Sequence, residues 1–224
     1  MTDKKNVAPL EDNDTVQKVT GIWQQYGKKA LIGIGAIAVI VAGYFGYKNL
    51  VSAPNEKKAN EAIFTAEIYF RMDSIRLALE GDNVNPGFLK VISKYSGTEA
   101  ANLAHFYAGS CYLKLGDFNN AAKQLEAFST KEPIVAARAK ALTADALSES
   151  GKKDEAAKLY REAGTLFDKD DVNSPQYLFR AGFLYESMGK NQDAIQVYKL
   201  IKEKYPQFRE YDVDKYLGRL GSIE

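Results

Sequence analysis

Hydrophobic positions along the chain fall into three regimes. The first 14 residues are mostly polar, and residues 1–14 are expected to lack fixed structure. From Ala30 to Tyr47 the sequence reads ALIGIGAIAVIVAGYFGY without a charge. At about 1.5 Å per residue this stretch crosses most of a roughly 30 Å hydrocarbon core, and Asn49, Leu50 and Val51 complete the crossing. A helix buried in a small soluble core shows a polar stripe, and this one has none. The pattern therefore predicts a transmembrane helix over 30–51, preceded by a tail over 1–29. A cleaved leader is the competing reading, but the apolar run starts late, and Pro54 follows the small-residue site Val51–Ser52–Ala53. Trp23 and Tyr26 at one end, with Tyr44 and Tyr47 at the other, fit interfacial aromatic belts. Lys4, Lys5, Lys18, Lys28 and Lys29 precede the span, against Lys48, Lys57 and Lys58 after it, so the N-terminus is expected inside. Ala38, Ala42 and Gly46, four residues apart, place small side chains on one face, as candidate positions for packing against another membrane helix.

Beyond Lys48 the apolar residues recur at helical spacing. Glu56 to Leu79 reads as one long helix carrying Ile63, Ala66, Tyr69, Phe70 and Leu77. Pro86 to Tyr95 reads as a shorter one, giving an opening helical pair within 52–101. Three segments then share one skeleton: GSCYLKLGDFNNAAKQL, ADALSESGKKDEAAKLY and GFLYESMGKNQDAIQVY. Their turn glycines, Gly116, Gly151 and Gly189, stand 35 and 38 residues apart, close to the roughly 34-residue period of tetratricopeptide repeats. The longer spacing predicts a short insertion near Asp168 to Ser174. Gly109, Ala144 and Gly182 stand seven residues ahead of each turn, where two antiparallel helices need a small side chain between them. Ala121, Ala156 and Ala194 supply close contact from the second helices. Leu125, Tyr160 and Tyr198 are expected to fill the space between repeats. Pro133 and Pro206 are expected to stop the second helix of two repeats. The predicted repeats span about 102–135, 137–170 and 175–208 within 102–210. A helix over 211–224, marked by Val213, Tyr216, Leu217 and Leu220, caps the last one. The expected fold is all-α: a single transmembrane helix followed by an α-α superhelix.

Composition adds mainly exclusions. The chain of 224 residues carries a net charge of +1, with 46% hydrophobic and 26% charged residues and a mean hydropathy of −0.34. That length allows one anchor and one medium-sized domain. Without a basic patch there is no electrostatic case for a nucleic-acid partner. One cysteine, Cys111, and one histidine, His105, exclude an intrachain disulfide and the commonest metal and triad chemistries. Both are expected in the core of the first repeat. Asp168, Asp170 and Asp171 lack the glycine and distal glutamate of a calcium loop. No cofactor, metal or small-molecule substrate is expected, and no catalytic set is apparent.

In such arrays the first helices of successive repeats line a concave groove. By repeat phase, the candidate protein-binding positions are Phe106, Leu113, Lys114, Arg138, Asp145, Glu149, Phe179, Phe183 and Glu186. Rings supply contact area and charges set register, which suits an extended or unfolded peptide.

The layout of a short tail, the WQQYGKKALIGIGAIAVIVAGYFGYKN anchor and then repeats, with segments such as GFLKVISKYSGTEAANLAHFYAGSCYLKLGDF, resembles the YfgM-like family of ancillary Sec translocon subunits. The resemblance covers nearly the whole chain. It implies a bacterial inner-membrane protein with a cytoplasmic N-terminus and a periplasmic repeat domain. It also implies translocon subunits, a periplasmic chaperone of the prolyl-isomerase type and unfolded secreted chains as partners. The same skeleton is shared by anchored scaffolds of envelope assembly or cell division, the alternative reading. A further rival, an enzyme or its regulatory subunit, predicts a polar pocket of convergent titratable groups.

Overall fold

The computed structural model describes residues 13–208 and 212–222, which form helices with no strand among them. The described chain divides into two compact units, the first ending at Pro54 and the second beginning at Asn55.

The first unit is built on α1 (Asn13–Tyr47), which starts well before the apolar run. Residues 1–12 of the tail lie outside the described residues, whereas Asn13 and Asp14 open α1. Leu31, Ile34, Ile37, Ile40 and Phe45 are exposed on several sides of the helix. This helix is long and apolar enough to span a membrane, with a mean hydropathy of 2.0 over its most apolar stretch. Lys48–Ser52 then widen into a π-helical turn, in which the Ala53 N–H bonds Lys48 O. Pro54 explains the widening: it has no N–H to give Leu50 O, and its ring would press on that carbonyl in a regular turn.

The second unit opens within α2 (Ala53–Arg71) and continues with α3 (Ile75–Glu80) and α4 (Phe88–Lys94). The single long helix expected over Glu56–Leu79 is thus two. It breaks at Met72–Ser74, where Asp73 takes a left-handed backbone (φ 58°) that ends the regular helical path. Leu77, expected to face inward, is exposed, while Ala78 and Leu79 are buried instead. Ala59, Ile63 and Ala66 of α2 join Phe88 and Val91 of α4 and Ala104, Ala108 and Cys111 in a first core cluster.

Three helical hairpins follow: α5 (Glu99–Leu115) with α6 (Phe118–Ala127), α7 (Pro133–Glu149) with α8 (Lys153–Leu166), and α9 (Asn173–Ser187) with α10 (Asn191–Lys204). Each helix packs on its sequence neighbours, as in a solenoid. The three turns are one motif. Gly116, Gly151 and Gly189 have φ of 77°, 84° and 72°, and the next residue's N–H reaches back to Tyr112 O, Leu147 O and Tyr185 O. This is the Schellman closure, which favours glycine because its left-handed backbone carries no Cβ penalty. Pro133 does not stop α6, which already ends at Ala127; it opens α7 at a first-turn position where its missing N–H costs nothing. Pro206 does follow the end of α10. The longer second spacing owes most to α8, which has 14 residues where α6 has 10, rather than to the 168–174 stretch. A last helix, α11 (Val213–Arg219), buries Val213 and Leu217 in a second core cluster with the second and third hairpins.

Candidate functional site

The first helices of the hairpins, α5, α7 and α9, carry all nine candidate groove positions. Phe183 is 51% exposed, and Arg138 and Glu149 are exposed as well. The side chains of these three have no hydrogen bond or ion pair among the described residues. Phe179 is not a surface residue: only 7% exposed, its ring meets Tyr216 of α11 edge-on at 4.9 Å and lies 5.8 Å from Tyr198. The capping helix covers the position that repeat phase assigns to the groove, because the last repeat has no successor to bury that ring.

Phe106 and Leu113 are half-buried, with the Phe106 ring 5.3 Å from Phe128 at the end of α6. Lys114 is exposed but occupied. Its Nζ lies 2.7 Å from Asp73 Oδ1 and 5.4 Å from the centre of the Phe70 ring, tying α5 to the α2–α3 break.

Asp145 and Glu186 are half-buried and organise the contacts between hairpins. Asp145 accepts from the Tyr160 hydroxyl and from Arg180 Nη1 at 3.0 Å. Glu186 accepts from the Tyr198 hydroxyl at 3.2 Å and pairs with Arg219 Nη2 at 2.7 Å. In each case a tyrosine of the second helix, a carboxylate of the first helix and an arginine of the following element converge, with the guanidinium near an aromatic face. Burial first, and the neighbouring carboxylate next, push both phenols well above their ordinary pKa, so the hydroxyls stay protonated donors. Sequence reasoning placed Tyr160 and Tyr198 as space-fillers and missed these hydrogen bonds. The tyrosine that closes the second and third skeleton segments carries the signal, but its partners lie 15 and 12 residues away.

Small residues act where spacing predicts. A Cβ on Gly109 would lie 2.5 Å from Leu125, and one on Gly182 would lie 2.5 Å from Tyr198, so these bulky partners press within the hairpin. Tyr198 also reaches across to α11, 5.5 Å from Tyr216.

His105 is half-buried rather than sealed in the core, with Nδ1 2.7 Å from Gln124 Oε1. Cys111 is fully buried, and burial pushes its thiol up to about 12, which leaves it unreactive at neutral pH. Asp170 caps α9 by accepting from Asn173 N at 2.9 Å and Val172 N at 3.2 Å. Among the described residues no three His, Cys, Asp or Glu side chains are grouped to hold a metal. In the first unit, Ala38 and Ala42 are exposed and Gly46 is half-buried, and a Cβ on Gly46 would meet nothing within 4 Å.

A family model described as a tetratricopeptide repeat-like domain matches residues 21–210. No curated protein matches the chain at a significant level. The matched span takes in the apolar helix as well as every hairpin, so both units fall within one family pattern. With turn and close approach recurring in phase across that span, the chain belongs to the tetratricopeptide repeat-like domain family.

Proposed function

We propose that this protein is a membrane-anchored binding module of the bacterial inner membrane, with α1 as its single span, the N-terminus cytoplasmic and the repeats periplasmic. Repeat domains of this family are protein-interaction modules. The observation that carries the reading is Phe183, a large ring left half in solvent on a first helix that buries Leu178, Phe179 and Tyr185 and half-buries Tyr177 and Leu184. A ring held there by the scaffold offers contact area to an extended chain at low entropic cost. The apolar surface around α1 supports anchoring, because a bilayer covers it and water does not.

The role is that of an ancillary translocon subunit, which sits beside the Sec channel with a periplasmic chaperone and receives secreted chains as they emerge. The resemblance in the anchor and first repeat supports this role, and so does a family match that begins at residue 21 and includes the anchor. A photoreactive residue in place of Phe183, activated in intact membranes, tests it. Adducts with translocon subunits, an isomerase chaperone or many nascent secreted chains are expected. A single envelope-assembly or division protein among the adducts would overturn the export role in favour of a scaffold.

A further inference from the structure

We propose that a cleft separate from the nine groove positions receives a basic side chain of an extended polypeptide. It lies between the N-terminal half of α5 and the loop joining α6 to α7, and has a volume of about 910 Å³. Ligand clefts run from roughly 300 to 1,000 Å³, so this one holds more than a single side chain.

Its walls are fixed by internal bonds. The Asn102 carboxamide clasps the backbone of Ser129 from both sides, Nδ2 donating to Ser129 O at 2.7 Å and Oδ1 accepting from Ser129 N at 3.0 Å. The opening amides of α5 are already used. Glu56 accepts from Glu99 N at 2.9 Å and Ala100 N at 3.1 Å, and Thr98 accepts from Ala101 N at 3.1 Å. Those three amides are therefore not available to an anion.

What remains in the lining is acceptor-rich. Glu99 and Glu132 are exposed and carry no ion pair among the described residues. His105 also lines the cleft, with Nδ1 2.7 Å from Gln124 Oε1. Lys131 is the only cation of the lining, which leaves one negative charge in surplus. Leu103, Phe128 and Val135 provide an apolar bed beside these acceptors. An arginine or lysine matches both parts, its methylene stem on the apolar bed and its charged head at the carboxylates. An acidic segment would meet like charge. This assignment rests on the chain being a protein-binding module, but it does not depend on the groove around Phe183.

The test uses the full chain in detergent micelles at low salt. Two fluorescein-labelled Ala/Ser peptides serve as probes, one centred on Arg–Leu–Arg and its twin on Glu–Leu–Glu, with binding read by anisotropy. The arginine peptide is expected to bind about tenfold tighter than its twin. Glu99→Gln with Glu132→Gln removes that preference, Lys131→Gln sharpens it, and Phe183→Ala leaves it in place. Circular dichroism checks that each variant stays folded. Equal binding of the two peptides, no binding of the arginine peptide, or a preference that survives the double substitution overturns the cleft. If in addition the preference vanishes in Phe183→Ala, the peptides sit in the groove, and the binding-module reading stands while the cleft falls.

Discussion

Gly164 sits where α8 meets α9, and its missing side chain lets the two helices approach. A Cβ there would lie 2.6 Å from Leu178 Cγ and 2.8 Å from Ser174 O. Replacing an interior helical glycine by alanine normally stabilises by about 1 kcal/mol. Here the obstacle includes backbone, which retreats only if α9 moves, and overpacking of this kind costs about 1–3 kcal/mol. Gly164→Ala is therefore expected to lower stability by about 1 kcal/mol net, read as a lower urea midpoint for the solubilised full chain. A raised midpoint would show that α9 shifts freely. Cys111 makes a second residue-level prediction. Its folded pKa of about 12 lies above the ordinary 9.0, so between those values the native chain holds a proton that the unfolded chain has released. Unfolding free energy then falls as pH rises. From neutral pH, stability is expected to be level up to about pH 9 and to decline toward pH 12, with Tyr160 and Tyr198 adding to the decline from about pH 10. Urea midpoints measured across that range, for the native sequence and for Cys111→Ala, check this. An unchanged slope between pH 9 and 10 in the variant would remove Cys111 from the account.

Helix α5 is capped by its own neighbourhood and by a residue 43 positions earlier. Thr98 serves one opening amide, and both oxygens of Glu56, in the first turn of α2, serve two more. A carboxylate at a helix N-terminus gains from the hydrogen bonds and from the aligned peptide dipoles. Glu56→Gln retains one acceptor and loses the charge, so a cost of about 1–2 kcal/mol is expected. The local signature is faster hydrogen exchange at Glu99 and Ala100, while Ala101, still held by Thr98, changes little. Uniform exchange across the three amides would show that Glu56 contributes nothing there. No sequence pattern exposes a cap that reaches across 43 residues. The elements whose cause is local were legible: the turn glycines, the small residues at close approaches and the uncharged run of α1 each follow from one residue's backbone or size. The break at Asp73 was not, because apolar positions keep helical spacing through it from Ile63 to Phe70 and on to Leu77. Pro133 was legible as a helix boundary but not as to which side, since proline ends one helix and opens another equally well. Repeat phase put the nine groove positions on the first helices α5, α7 and α9. It could not show that Lys114, Asp145 and Glu186 are engaged by Asp73, Arg180 and Arg219, or that α11 seals Phe179.

Across the second unit, the buried side chains gather in two clusters, one from α2 to α5 and one from α7 to α11, with α6 between them. A solenoid of this kind is held by contacts between successive elements, so its stability is a sum of local terms and need not be lost all at once. The helix α11 enters only the second cluster, through Val213, Leu217, the Tyr216 ring against Phe179 and Tyr198, and the Arg219–Glu186 pair. Removing residues 209–224 strips those partners from α9 and α10 and exposes two aromatic rings, while every contact of the first cluster survives. Hydrogen exchange on the truncated chain is expected to show protection falling in α9 and α10 first, less in α7 and α8, and hardly at all in α2 to α5. A uniform loss from α2 to α10 would mean that the two clusters unfold as one, with the junction at Gly109 and Leu125 strong enough to transmit the damage through α6. The graded result would instead leave the α2–α5 end, with its Glu56 cap and the cleft beside His105, able to hold its shape while the far end of the array opens.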